Sequence, residues 1–233
     1  MGSHLLAVTF DAGDVGRLAG FWAGLLGREP VRHRAGLLLP GDESKLGLRF
    51  VPDPATKTRP NLAHLHLTSH TAADQEATVA RALELGASHV DFGQTPEDGH
   101  IVLEDPDGNE FCVMEAGNRF LAGCGFLGEL ACDGPREVGV FWSQALGWPL
   151  VWDQDEETAV QSPAGGTKVS WGGEPPAPST VRRRLRLFVV ASGDLDSEIA
   201  RLVSLGASRA EPHSDGVQCL MDPGGNQFEI ALG

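Results

Sequence analysis

The chain has 233 residues, a formal net charge of −14, 41% hydrophobic residues and 21% charged residues. This composition is typical of a soluble globular protein with a sizeable core, and the negative charge argues against nucleic acid and anionic membrane surfaces as partners. No apolar run approaches a membrane span, no signal peptide precedes the first predicted strand, and the four cysteines lack paired spacing, so we expect reduced thiols and a cytoplasmic location.

The first fifty residues predict a strand, a helix and then a small β-meander. Leu5–Phe10 has the pattern of a strand, and Val15–Leu26 has an apolar helical stripe that begins after Asp14, a favourable N-cap. Two short apolar segments, Gly36–Leu39 and Leu46–Val51, then predict the strands of a hairpin or meander.

A second round of the same order follows from Asn61. The segment His64–Thr68 alternates as a strand, and Asp74 is predicted to cap a helix that runs to Leu85. Three further strands are predicted at Val90–Phe92, Ile101–Leu103 and Glu110–Glu115.

A turn followed by a strand marks the end of this round and returns near the C-terminus. Asp105-Pro106-Asp107-Gly108 has the residues that a type I turn favours, and Asp222-Pro223 begins a similar segment 117 residues later. Phe21-Trp22 and Leu85-Gly86-Ala87-Ser88 each recur after 120 residues. Three ordered recurrences indicate a duplication.

The repeat predicts an α+β fold of four βαβββ modules paired into two curved mixed sheets, with helices on the outer face. We expect two domains, residues 1–117 and 122–233, each holding two modules side by side around a shared cleft. Fusion of two domains also predicts a monomer.

Four segments carry a resemblance to a known superfamily: Phe21-Trp22 with Leu26-Gly27, Asn61 with His64-Leu65-His66-Leu67, Leu85-Gly86-Ala87, and Asp105-Pro106-Asp107-Gly108-Asn109-Glu110-Phe111-Cys112. They resemble the vicinal oxygen chelate superfamily of glyoxalases, bleomycin-resistance proteins and extradiol dioxygenases, and within it the glyoxalase-like domains. The resemblance covers nearly the whole chain, once per half. It implies the fold but not the reaction, because the superfamily includes isomerases, dioxygenases and metal-free antibiotic-binding proteins.

The resemblance also implies three metal-ligand positions in each half. They are a histidine on the first strand, a histidine on the strand that opens the second module, and a glutamate seven residues after the aspartate of the Asp-Pro turn. The second half holds about Phe126, Arg184 and Glu229 there. A permanent positive charge at Arg184 does not suit a cation site, so this half is not expected to bind metal.

In the first half the same positions hold His4, His64 and Cys112. Since neither half has two histidines and a carboxylate, no cofactor is expected. The alternative is a divalent metal such as Fe, Mn, Ni or Zn, held by His4, His64 and Cys112 or by a set that includes His64 and Glu110. The Met1–His4 segment resembles a cloning remnant, which weakens the case for His4.

Other residues are candidates for direct ligand contact. His64 and His66 share one strand face, as do Glu110 and Cys112, so each pair is expected to face a cavity. Either Arg184 or Arg186 is predicted to form an ion pair with Glu229, or both receive an anionic group of a ligand. Trp148 and Trp152 are predicted to share a strand face that stacks planar ligands, although a core position is an equal alternative.

Three functional hypotheses follow. The first is a small-molecule-binding protein of the glyoxalase and bleomycin-resistance type with no complete metal triad. The second is a metal-dependent lyase, isomerase or dioxygenase that uses the first-half cleft, where the metal would polarise substrate oxygens. The third is a structural or interaction protein whose clefts have closed.

Overall fold

The computed structural model describes residues 2–173, 183–211 and 217–233. Four α-helices lie in these ranges: α1 Val15–Leu26, α2 Ala72–Leu85, α3 Arg136–Leu146 and α4 Leu195–Ser204. In the described part of the chain, no helix has the length and apolar character needed to cross a membrane.

Sixteen strands accompany the helices and form two mixed sheets, which confirms the predicted α+β class. The strands are β1 Ser3–Ala12, β2 Val31–His33, β3 Gly36–Leu39, β4 Gly47–Pro52, β5 Ala63–Leu67, β6 Ser88–His89, β7 Ile101–Glu104, β8 Glu110–Val113, β9 Leu127–Asp133, β10 Leu150–Gln154, β11 Glu157–Gln161, β12 Lys168–Gly172, β13 Leu185–Ala191, β14 Ser208–Arg209, β15 Gln218–Met221 and β16 Gln227–Leu232.

The element order repeats four times as strand, helix and three strands, so the predicted modules are confirmed. Modules 1 to 4 begin with β1, β5, β9 and β13. One sheet, here called sheet A, has the order β14-β15-β16-β13-β1-β4-β3-β2 and joins module 4 to module 1. The other, sheet B, has the order β10-β11-β12-β9-β5-β8-β7-β6 and joins module 3 to module 2.

This pairing corrects one expectation from the sequence. Modules 1 and 2 were expected to share a cleft, but each sheet takes one module from each half of the chain. The two halves meet at the antiparallel pairs β1–β13 and β5–β9. The hydrophobic pattern of a module shows which of its faces is apolar. It does not show which other module pairs with its edge strand.

In each half of the chain, the tryptophan of the repeated Phe-Trp motif contacts the aspartate of the repeated Asp-Pro turn. The indole Nε1–H of Trp22 in α1 donates to the Asp105 carboxylate at 3.1 Å, and that of Trp142 in α3 donates to Asp222 at 3.2 Å. Asp105 also accepts hydrogen bonds from the backbone of its own turn. Each Asp-Pro turn is therefore tied to a helix that belongs to the other sheet.

The helix-covered faces of both sheets share one hydrophobic core. It includes Leu18, Val79, Val138 and Ile199, one from each helix, together with strand residues of sheets A and B. The opposite faces carry the polar side chains that were predicted to face clefts.

Two local boundaries differ from the predictions. The N-cap of α2 is Thr71, which accepts from the backbone of Asp74, while Asp74 accepts from the backbone of His70. The short strand after α2 is Ser88–His89, and the predicted strand Val90–Phe92 is not regular. Phe92 is 55% exposed, so its apolar character does not report a buried strand there.

Candidate functional site

The polar face of sheet A is closed by a buried network of charges. Arg186 donates to both carboxylate oxygens of Asp11, at 2.9 and 2.8 Å, and to Glu229 at 2.9 Å. Arg49 donates to the other oxygen of Glu229 at 2.7 Å, and Thr9 donates to the same oxygen at 3.0 Å. The predicted ion pair between Arg186 and Glu229 is therefore confirmed.

The charges in this network stabilise one another. Burial lowers the pKa of Arg186, but Glu229 and Asp11 more than offset this effect and raise it. Burial raises the pKa of Glu229, and Arg186 and Arg49 bring it below its usual value. Guanidinium groups already bind both carboxylates of this network, Asp11 and Glu229, so the described residues of sheet A do not fit a divalent metal.

Arg184 lies apart from this network. Its guanidinium donates to Asp107 at 3.1 Å and to the carbonyl oxygens of Ala55 and Asp11 at 2.9 and 2.8 Å. Arg184 therefore pairs with the first Asp-Pro turn rather than with Glu229. Arg182, another basic residue in the sequence Arg182-Arg183-Arg184, lies outside the described residues.

The polar face of sheet B carries a different set of side chains. His66 on β5 and Glu129 on β9 are directly opposite in the antiparallel ladder, and His66 Nδ1 lies 2.7 Å from Glu129 Oε2. Ser170 on β12 donates to Glu129 Oε1, and the buried Cys112 on β8 hydrogen-bonds His66. We call this face, with its floor of His64, His66, Cys112, Glu129 and Ser170, cup B.

The two histidines of cup B have opposite protonation preferences. Burial lowers the pKa of His66, but the hydrogen bonds with Cys112 and Glu129 outweigh it and raise the value to about 9. Burial and the neighbouring His66 charge lower the pKa of His64 to about 4. At neutral pH His66 is therefore an imidazolium paired with Glu129, and His64 is a neutral imidazole with one donor and one acceptor.

Three potential metal ligands also meet on this floor. One ligand atom from each of His64, His66 and Cys112 lies within 4.8 Å of the others. Imidazole and thiolate are ligands that zinc prefers, and a carboxylate on the second nitrogen of a ligating histidine, as Glu129 is on His66, is typical of zinc sites. The donor set of cup B therefore fits a zinc-like ion.

The predicted metal set was different. His4 is an exposed residue on β1 of sheet A, whereas His64 and Cys112 belong to sheet B. His4, His64 and Cys112 are thus not brought together, because modules 1 and 2 lie in different sheets. Glu110 is bound by Lys57 and by the backbone N–H of Asn61, so its charge is already matched beside the floor.

Above the floor of cup B is a cavity of ≈460 Å³. Trp152 and Phe120 form part of its wall, with ring centroids 5.6 Å apart in a T-shaped arrangement. The Trp152 Nε1–H is buried and has no hydrogen-bond partner among the described residues. Phe120 belongs to the segment that links the two halves, so this linker forms one wall of the cavity.

The tryptophans do not form the single wall that the sequence predicted. Trp148 precedes β10, whose ladder is irregular between Leu150 and Trp152, and it lines another cavity beside His4. Trp171 is 2% exposed and stacks parallel to Trp142 with centroids 6.3 Å apart, so it is mainly a core residue. Of the two predicted wall residues, Trp152 is the one that reaches cup B.

Sequence reasoning missed Glu129 and Ser170. Glu129 is 4% exposed and lies in the otherwise apolar beginning of β9, Leu127-Gly128-Glu129-Leu130. Burial of an unpaired carboxylate costs free energy, so a single glutamate within an apolar strand indicates a buried partner. That feature of the sequence could have identified Glu129 before the structure was known.

Comparisons with known proteins agree with this fold. The sequence matches the family described as glyoxalase-like domain over residues 7–114 and 129–231. Glyoxalase I from Zea mays has a similar structure, with a TM-score of 0.68 and 12% identity over 99% of this chain and 92% of that one. A Bacillus subtilis structure named "putative dioxygenase" has a TM-score of 0.63 and 14% identity, covering 98% and 84% of the two chains. No curated protein matches the sequence.

Proposed function

Because the chain belongs to the glyoxalase-like domain family, in the vicinal oxygen chelate superfamily, we propose that it binds a small organic molecule in cup B. The observation that carries the proposal is the contrast between the two sheets. Sheet A fills its polar face with the buried Arg186 network, whereas cup B has a cavity of ≈460 Å³ above polar side chains. That volume lies in the usual range of small-molecule sites.

The charges around cup B favour a neutral or cationic ligand over an anion. The Glu129 charge is matched by the His66 imidazolium, but Asp133 and Glu157 also line the cavity. His64 adds no charge at neutral pH because its pKa is lowered. An anionic ligand would meet these carboxylates with no described free cation in the lining.

The walls favour an aromatic ligand that carries a hydrogen-bond acceptor. Trp152 and Phe120 present ring surfaces and edges, which pair well with planar groups. The buried Trp152 N–H lacks an acceptor, and a ligand oxygen or nitrogen would satisfy it. His64 provides one further donor and one further acceptor on the floor.

Calorimetric titration with aromatic compounds of matched shape tests this proposal. Benzamide, benzamidine and benzoate differ mainly in charge, and larger members of each series extend the panel. We expect binding by neutral and cationic members, and at least about tenfold weaker binding by carboxylates. Trp152→Phe keeps a ring but removes the N–H and should weaken binding about fivefold.

The matched control is His70→Ala, which removes an exposed histidine outside the cup and should leave affinity unchanged. Absence of binding across the panel, or binding that Trp152→Ala does not weaken, would contradict the proposal.

A metal-dependent enzyme is the second candidate, and the convergence of His64, His66 and Cys112 favours it. These three residues would hold the ion, and Glu129 would orient His66 through Nδ1. When bound, a zinc-like ion supplies polarisation of a substrate oxygen. The substrate would bind in the cavity above the floor, where Trp152 would donate a hydrogen bond to it.

Elemental analysis of protein purified without a metal-binding tag separates the two candidates. Stoichiometric metal that is lost in Cys112→Ser and His66→Ala, but retained in His70→Ala, would establish the second candidate. Metal-free protein that still binds the aromatic panel would establish the first.

A further inference from the structure

A cavity separate from cup B lies where two equivalent loops meet between the sheets. Its volume is ≈500 Å³, and it is bounded by the start of β1, the loop between β3 and β4, the loop between β11 and β12, and Trp148. The first loop belongs to module 1 in sheet A, and the second belongs to module 3 in sheet B. We call this space the loop cavity. Its volume lies in the usual range of small-molecule sites.

Hydrogen bonds and close packing hold the two loops together. The Thr167 N–H donates to the Ser44 carbonyl at 2.9 Å, and the Leu46 N–H donates to Thr167 Oγ1 at 3.3 Å. A Cβ atom at Gly166 would overlap the Ser44 carbonyl oxygen, so the two loops approach as closely as a glycine allows. The loop cavity is therefore preformed, and a ligand would not have to order its walls on binding.

The lining of the loop cavity is mainly apolar. Trp148 and Leu5 are half-buried, since they pack against the hydrophobic core and also line the cavity. The backbone of Trp148 is fixed after α3, where its N–H donates to the Ser143 carbonyl at 3.1 Å and its carbonyl accepts from Ser143 Oγ at 2.6 Å. The other apolar lining residues are Leu6, Leu46, Pro163, Ala164 and Val169. A ligand with an apolar body would remove part of this surface from water.

The charged part of the lining includes one carboxylate without a partner. Asp42 forms an exposed ion pair with Lys45 at 3.3 Å, and its hydrogen bonds from the N–H and hydroxyl of Ser44 lower the pKa of Asp42 to about 2. No described residue forms a hydrogen bond or an ion pair with the exposed Glu43. The lining also contains the exposed His4. Because Lys45 matches Asp42, Glu43 gives the cavity a net negative charge when His4 is neutral.

We propose that the loop cavity is a second ligand site, which binds an organic monocation whose apolar body lies against Trp148 and Leu5 and whose ammonium group lies beside Glu43. The apolar body supplies most of the affinity, because an ion pair that is open to solvent is weak. The carboxylate selects a cation over an anion of the same shape. The proposal does not depend on the ligand of cup B, since the two cavities share no lining residue.

Titration of ¹⁵N-labelled full-length protein with three ligands of matched shape tests the site. Naphthylethylamine, naphthylethanol and naphthylacetate carry a positive charge, no charge and a negative charge. At pH 8 an exposed histidine is neutral, whereas the amine is protonated. The indole N–H signals report location, because Trp148 lines the loop cavity and Trp152 lines cup B.

We expect a saturable shift of the Trp148 signal with the amine. Binding of the alcohol at the same site should be about threefold weaker, since the alcohol forms no ion pair. Binding of the acetate should be weaker still, because its charge has the same sign as that of Glu43.

Glu43→Gln isolates the contribution of the charge. This variant should raise the dissociation constant of the amine about threefold and leave that of the alcohol unchanged. Glu43 is exposed on a loop, so we expect Glu43→Gln to fold like the wild-type protein. The matched control is Glu84→Gln, which changes an exposed glutamate of α2 outside the cavity and should alter neither constant.

Several results would overturn the proposal. One is the absence of a saturable Trp148 shift with the amine, and another is a shift confined to Trp152. Binding of the alcohol or the acetate as tight as that of the amine would overturn it too, as would an amine constant that Glu43→Gln leaves unchanged. The Trp152 signal reports cup B independently, so failure of one site is distinguishable from failure of the other.

Discussion

Glu129 Oε2 lies 2.7 Å from His66 Nδ1, across the strand pair that joins the first half of the chain to the second. The contact spans 63 residues of sequence and lies on the floor of cup B. It couples the assembly of the two halves to the protonation of a potential functional histidine.

The first prediction concerns this pair. In metal-free protein, Glu129→Gln keeps the size of the side chain but removes its charge, so the pKa of His66 should fall from about 9, although the hydrogen bond with Cys112 remains. The imidazole Cε1–H signals, followed by NMR between pH 5 and 10, give the value directly. Glu84→Gln, on the exposed face of α2, is the control. An unchanged His66 titration would show that Glu129 does not hold the proton.

The second prediction concerns sheet A. Arg186→Met leaves Asp11 and Glu229 buried without their shared cation, which should reduce the free energy of unfolding by about 3–5 kcal/mol. Urea denaturation measures this loss. Arg136→Met breaks a bidentate pair with Asp153 on the surface and should leave stability almost unchanged. Similar losses in the two variants would mean that the buried network does not stabilise sheet A.

The third prediction is a pH dependence of stability at the first Asp-Pro turn. Burial raises the pKa of Asp105 from 3.8 to about 6, in spite of its hydrogen bonds to Asn109 and Trp22. The folded state therefore prefers the protonated acid. Protonation of Asp105 therefore stabilises the folded state. This contribution to the free energy of unfolding is complete below pH 4 and is lost as the pH rises through 6, by about 3 kcal/mol in total.

Comparison with Asp105→Asn isolates this effect from other titrating groups. Relative to the variant, the wild-type protein should lose unfolding free energy between pH 4 and pH 7. Asp196→Asn, an exposed aspartate in α4, should show no such trend. If the difference between wild type and Asp105→Asn is the same at every pH, Asp105 is not protonated in the folded state at pH 4 to 6.

The fourth prediction follows from the pairing of the modules. Residues 1–117 contain β1 and β5, but their antiparallel partners β13 and β9 belong to the other half. Each half alone would expose two long strand edges. We expect residues 1–117 to unfold or to form dimers when produced alone, and to form a 1:1 complex with residues 122–233.

Size-exclusion chromatography with light scattering, combined with circular dichroism, distinguishes these states. A folded monomer of residues 1–117 with the thermal stability of the whole chain would contradict the fourth prediction.

Much of the fold could be predicted from local sequence. Asp14 does cap α1, which has the predicted bounds Val15–Leu26, because capping and apolar spacing are local properties. The Asp-Pro turn and the fourfold repeat could also be predicted, because both are visible as local sequence patterns. The choice of module partner could not, since it depends on how edge strands of different modules, far apart in sequence, complement each other.

The site was only partly predictable for the same reason. His64, His66, Cys112 and Trp152 were identified from their positions on strands, and the structure brings them to one sheet. Glu129 was missed because its partner His66 lies in another module. His4 was included because the resemblance implies a metal ligand at its position on the first strand. A donor set that spans modules cannot be derived until their pairing is known.

Soaking crystals with the aromatic panel is the most direct test of the central claim that cup B, rather than sheet A, holds the ligand. We predict electron density for a neutral or cationic compound against Trp152, with a polar atom bound by its N–H and close to His64. Density for the compounds only beside Arg186 and Glu229, or an empty cup B at saturating concentration, would contradict the account.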